Sequence, residues 1–167
     1  MLLNQNEGIL YPENLKVEIT PVKNAEIPKY FEIPHKALDK CKEQMEKAFS
    51  LAANLQPQYV FVLAPLHKGK VNPDDAFRVY SYRDCFAEHP LIEKNDCVCS
   101  EEFSYEIALP YIKSCFPNAK STAFFAPGNS EQLKDFVSFL RENYKPCVIF
   151  VSNNSQVNCS QMWLQAL

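Results

Sequence analysis

The chain has 167 residues, is 47% hydrophobic and 13% aromatic, and carries a formal net charge of −3. That length sustains one compact domain with a continuous core, so residues 1–167 are expected to form a single α/β domain. The 17 Lys and Arg are scattered, which argues against nucleic acid and against an anionic membrane surface as partners.

The start of the chain, MLLNQNEGILYPENLK, lacks the charged and apolar regions of a signal peptide. No apolar run reaches the roughly 18 residues of a membrane span, so a cytoplasmic protein is expected. Seven cysteines, at 41, 85, 97, 99, 115, 147 and 159, form an odd set that reads as reduced thiols, several of them core residues. Only three glycines occur, Gly8, Gly69 and Gly128. They are too few and too dispersed for a phosphate-cradling P-loop or a dinucleotide GxGxxG turn.

In chain order, NLKVEIT at 14–20 alternates Leu15, Val17 and Ile19 with polar residues and predicts a strand closed by Pro21. Residues 34–55 predict a helix. Pro34 suits its first turn, and Leu38, Cys41, Met45, Ala48, Phe49, Ala52 and Leu55 recur at helical spacing. Tyr59 to Ala64 is a continuous apolar run, the pattern of a strand covered on both faces. Ala76 to Tyr82 is a further β-rich piece, and the polar stretch with Asp84, Glu88, His89, Asp96, Cys97 and Cys99 reads as loop. Ser100 is the expected cap of a helix carrying Phe103, Ile107 and Cys115, which Pro110 should bend or interrupt.

Ser121 to Ala126 predicts a short strand. Asn129 or Ser130 is then the expected cap of a helix striped by Leu133, Phe136, Val137 and Leu140. Cys147 to Val151 predicts a last buried strand, followed by the polar turn SNNSQ and an amphipathic tail, SQMWLQAL. Helices alternating with strands imply an α/β layered domain with a central, mostly parallel or mixed sheet flanked by helices. In such sheets ligands lie beyond the carboxyl ends of the strands. TPVKN, APLHKG, VSNNSQ and the start of the 100–115 helix are the segments expected to converge there.

Three of these segments resemble a known family. VFVLAPLHKG is similar to the strand and proline–histidine turn of MEMO-like proteins, also called AmmeMemoRadiSam protein B. EEFSYEIALPYIKSCFPNAK resembles that family's acidic–His–Ser helix, with Ser104, Glu106, Leu109, Pro110 and Tyr111 the most specific match. VIFVSNNSQ stands where the family has a Ser-Ser-Asp-x-x-His turn. The order and spacing agree from about residue 45 to residue 156, and the resemblance implies the fold of class III extradiol dioxygenases, whose metal ligands come from strand ends.

Carried over residue by residue, the resemblance puts His67 at the family's second metal ligand. Its pocket histidine is Phe103 here, the acidic residue of the last motif is Asn153, and the histidine of that motif is Gln156. The third ligand lies beyond the span of this sequence. For the first ligand an ungapped alignment points to His35. Matching the strand KVEITPV instead points to Val22, the frame that a strand ending in proline favours. Glu102 matches the family's acidic residue, and at a helix start it also serves the dipole.

His67, Phe103, Asn153 and Gln156 are therefore the binding-pocket candidates. One matched histidine does not make a metal centre, which needs several ligands and an open position. The expectation is a non-catalytic binding or assembly domain with a degenerate metal site and no cofactor. The alternative is an iron- or zinc-dependent redox enzyme or dioxygenase-like protein using His67 and His35.

Other residues have plainer readings. His67 itself serves equally as a polar group satisfied at a strand end. His35 reads as a first-turn helix residue and His89 as surface. Cys97 and Cys99 lack the second pair of a zinc site and read as loop thiols. The tail of Met162, Trp163, Leu164 and Leu167 is expected either to cover its own core or to dock on a second copy, with Trp163 as the anchor of a homodimer. A protein partner implied by the family is the further expectation.

Overall fold

The computed structural model describes residues 2–4, 9–11, 17–34, 39–66, 77–128, 131–153 and 161–167, with the backbone alone at 2–4, 9–11, 39–40, 153 and 161–162. Two short strands, β1 (Leu2–Asn4) and β2 (Ile9–Tyr11), pair antiparallel as a separate ribbon. The remaining elements are β3 (Phe31–Pro34), α1 (Asp39–Ala52), β4 (Tyr59–Pro65), β5 (Val79–Ser81), β6 (Ile92–Lys94), α2 (Asp96–Cys99), α3 (Ser104–Cys115), β7 (Lys120–Ala126), α4 (Gln132–Asn143), β8 (Cys147–Asn153) and α5 (Gln161–Ala166).

One six-stranded mixed sheet runs in the order β3-β8-β4-β7-β5-β6. β3, β8, β4 and β7 are mutually parallel, whereas β5 meets β7 antiparallel at Tyr80↔Phe125 and runs parallel to β6. The α/β layered architecture expected from the sequence is the one observed.

Alternation along the central strands assigns the two faces. Val60, Val62 and Ala64 of β4, with Ala123, Phe125, Val148 and Phe150, meet α1 and α3 in one buried cluster. Phe61 and Leu63, with Phe124, Ala126, Ile149 and Val151, meet α4 and α5 in the other. Helix α1 supplies Met45, Ala48, Phe49 and Ala52 at helical spacing, and Phe49 stacks on Phe150 at 4.3 Å. In α4, Leu133, Phe136, Val137 and Leu140 are all buried, as their stripe predicts.

Several elements differ from expectation. Of the strand expected at 14–20, residues 14–16 lie outside the described residues and 17–20 form no strand, although Val17 and Ile19 do pack against the core on the α1 and α3 side. The backbone here goes to helices instead: Ser114 Oγ donates to the Val17 carbonyl at 3.3 Å, and Val22 N–H donates to the Ser50 carbonyl at 3.1 Å. Period-two burial here marks an extended strap over two helices, since alternation reports one-sided burial and not sheet pairing. The edge strand that precedes α1 is FEIP, paired in parallel with β8, and Pro34 ends it in place of starting a helix.

Between β5 and α3, the stretch read as loop holds β6 and α2. Asn95 caps α2 by accepting from Val98 N–H at 3.1 Å. Ser100 is the last cap of α2, its hydroxyl donating to the Cys97 carbonyl at 2.9 Å, so α3 begins three residues later than a Ser100 cap would place it. α3 continues through Pro110 without interruption. Position Glu131 precedes α4, while Asn129 and Ser130 lie outside the described residues.

The tail folds back on its own chain. Trp163 is 0% exposed, its ring lies 6.3 Å from Phe136, and its Nε1–H donates to the Ala64 carbonyl at 2.8 Å. Ala64 lies one residue past the last β4–β8 pair, Leu63↔Val151. Trp163 is thus a core residue of this chain and not a free interface anchor. No helix among the described residues is long and apolar enough to cross a membrane.

Because the ring is fully buried and hydrogen-bonded, Trp163→Ala should cost about 3–5 kcal/mol in denaturant unfolding. In the unsubstituted protein, fluorescence of this single tryptophan should unfold with the same midpoint as far-UV circular dichroism. An earlier fluorescence transition would mean that α5 docks independently of the sheet.

Candidate functional site

The parallel strands deliver their carboxyl ends to one edge, at Pro34 of β3, Asn153 of β8, Pro65 of β4 and Ala126 of β7. The helices on either side of this edge lie on opposite faces: α1, after β3, packs on one face, whereas α5, after β8, packs on the other. Diverging connections of this kind place ligand sites in α/β sheets.

Two serines join the edge to a helix. Ser152 Oγ of β8 donates to Ser104 Oγ, the first residue of α3, at 3.2 Å, and both are buried. The pair ties together two segments 48 residues apart, the FSYEIALPY helix and the VSNNSQ turn. Ser152 was not singled out from the sequence, although period-two counting from Val148 and Phe150 puts it on the face that meets α3.

Phe103 occupies the cap position of α3 without a side-chain hydrogen bond, and its ring packs partly into the core beside α1 and α3. A phenyl group there can fill space and exclude water, but it can neither ligate nor transfer a proton. Glu102, just ahead of that cap, is only 1% exposed, and its N–H donates to the Cys99 carbonyl at 3.0 Å.

Asn153 pairs in register with Pro34, which places the two strand ends side by side. His35, His67 and Gln156 lie outside the described residues. The described strands nonetheless bear on the choice of frame. The strand that ends in proline before α1 is FEIP, one residue ahead of His35, and it adjoins β8. Val22 is instead tied to the end of α1 through Ser50 and Asn54, away from the strand ends, and is 43% exposed. Residues 17–22 thus lack the strand on which the Val22 frame was matched.

Tyr82, Cys99, Glu102 and Glu106 lie close together beside α3. Burial pushes the Tyr82 phenol up, with Cys99, Glu106, Tyr105 and Glu102 adding to it. Burial, then Glu102, Asp96 and Cys85, pushes the Cys99 thiol up to about 12. Burial likewise raises the Glu106 carboxyl. A thiol held protonated is a poor nucleophile, so Cys99 is a packing residue, and Cys115 and Cys147 are raised by burial in the same direction.

Cys97 and Cys99 sit on α2 and not in a loop, the first exposed and the second buried. Among the described residues no group of three or more His, Cys, Asp or Glu side chains could hold a metal ion. The described part of the edge offers the Ser104 and Ser152 hydroxyls and the Phe103 ring, which are not the ligands iron or zinc prefer. His89 is not a plain surface residue: its ring packs edge-on against Phe136 and Phe139.

Comparison with protein-family models, curated proteins and solved structures finds no significant match to this chain.

Two outcomes follow from the geometry. Iodoacetamide at mildly alkaline pH should modify Cys97 in the folded protein and spare Cys99 until the protein unfolds, as peptide mapping would show. A double-mutant cycle of Ser104→Ala and Ser152→Ala should give a coupling of about 1 kcal/mol; strict additivity would mean the contact contributes nothing.

Proposed function

We propose that this chain is a MEMO-like binding or assembly domain that receives its ligand or protein partner at the carboxyl edge of β3, β8 and β4, with a degenerate metal site and no catalytic role. The observation that carries this reading is the buried Ser104–Ser152 contact, which unites the helix motif and the last-strand motif at that edge. The same edge presents Phe103 where the family resemblance puts a histidine, so the position packs and does not ligate. Function resides in such a site and not in the fold that carries it.

A second reading, a metal-dependent redox or dioxygenase-like enzyme using His67 and His35, gains support from one feature. β3 and β4 both end in proline shortly before these histidines, and only β8 separates the two strands. A homodimer through the tail is a further proposal. With Trp163 inside its own chain, it would rest on the half-buried Leu164 and Leu167.

Metal analysis decides between the first two readings. Protein purified without added metal should hold iron and zinc at well below one per chain, and His67→Ala and His35→Ala should leave that content unchanged. Stoichiometric metal that is lost in either variant would overturn the degenerate-site reading in favour of the enzyme.

A further inference from the structure

We propose that His89 is an acid-sensitive latch: proton uptake at its Nδ1 releases residues 82–91 from α4 while the parallel sheet stays folded. These residues connect β5 to β6 and bury Cys85 and Ala87 in the core on the α4 side, with Phe86 and Leu91 packed at its margin. The imidazole is set between two phenyl rings of α4, 5.2 Å from Phe136 and 4.6 Å from Phe139, both edge-on.

His89 Nδ1 accepts the Leu91 N–H at 3.1 Å, and the His89 carbonyl accepts from Ile92 N–H at 3.0 Å. A nitrogen that accepts is unprotonated, so the docked ring is neutral, with its proton on Nε2. Adding a proton turns Nδ1 into a donor facing another donor. It also places a charge against two phenyl rings, partly out of water.

The charged neighbours do not offset this cost. On the connection itself Glu88 pairs with Lys94 of β6 at 2.7 Å, and its side chain is largely exposed. The Glu88 N–H donates to the Tyr144 hydroxyl at 3.1 Å. Glu93 of β6 pairs with Arg78. On α4, Asp135 and Glu142 lie four residues before and three after Phe139, and both are exposed, where solvent screens them. Burial is the cause that lowers the His89 pKa below its ordinary value. With the folded value below the unfolded one, the docking contribution is complete above about pH 6.5 and is lost as pH falls below it.

Hydrogen exchange read by mass spectrometry tests the latch on the whole chain. Between about pH 7.5 and about pH 5.5, corrected for intrinsic rates, protection over residues 83–92 should fall by up to about tenfold per pH unit as pH drops from about 6.5 toward the folded pKa, and level off below it. Protection in β4, β7 and β8 should hold. His89→Phe, which keeps a ring and removes the titration, should abolish the pH dependence, and His89→Gln should do the same if the phenylalanine variant folds poorly. Equal protection of 83–92 at both pH values would overturn the proposal. So would an equal fall in the variants, or loss of protection in β4 together with the loop.

Discussion

The structure depends on β4. It is bonded along its whole length to β7, from Tyr59↔Lys120 to Pro65↔Ala126, and over its first five residues to β8. A strand in that position has no polar backbone left for water and must be apolar on both faces, since helices cover each side of the sheet. YVFVLAP meets that demand with side chains at or near zero exposure from Val60 to Ala64. Where the β8 ladder stops, the indole of Trp163 takes up the next carbonyl, at Ala64. The C-terminal helix therefore completes the central strand, and its docking belongs to the same cooperative unit.

That constraint also determines where chemistry can reside. With β4 closed along its sides and faces, the strand's open end is its carboxyl terminus, beside those of β3 and β8. The sequence placed its polar signals there: a proline–histidine after β4, a serine–asparagine segment at the end of β8, and the Ser104 helix start that bonds to Ser152. The described part of the edge is polar by the Ser104 and Ser152 hydroxyls and apolar by Phe103, a combination suited to recognition by shape and hydrogen bonding.

Most of the layered architecture was legible in the sequence, because long apolar runs and helical stripes report burial directly. β4, β7, β8 and the stripe of α4 are where the pattern places them. Burial patterns do not report bonding partners, and this accounts for KVEIT, whose alternating residues lie on helices and not in the sheet. FEIP was hidden for the opposite reason, being four residues long and ending in a proline that also suits a helix start. Ser100 carried a capping signal that belongs to the end of α2, a turn earlier in the chain. At the site, Ser104 stood out within its motif, while Ser152 was masked by the apolar run it closes.

The ends of the sheet order carry a consequence for self-association. β3 and β6, the outermost strands, are four and three residues long. β3 exposes Glu32 and ends in Pro34, which has no N–H to offer a further strand, and β6 carries Glu93 and the exposed Lys94. Short length, charge and proline are the devices by which proteins keep open β edges from templating one another. Among the described residues, the six-stranded sheet thus keeps a highly apolar central strand at its heart behind guarded margins, and contacts between copies at those margins are directed away from strand addition toward side-chain surfaces.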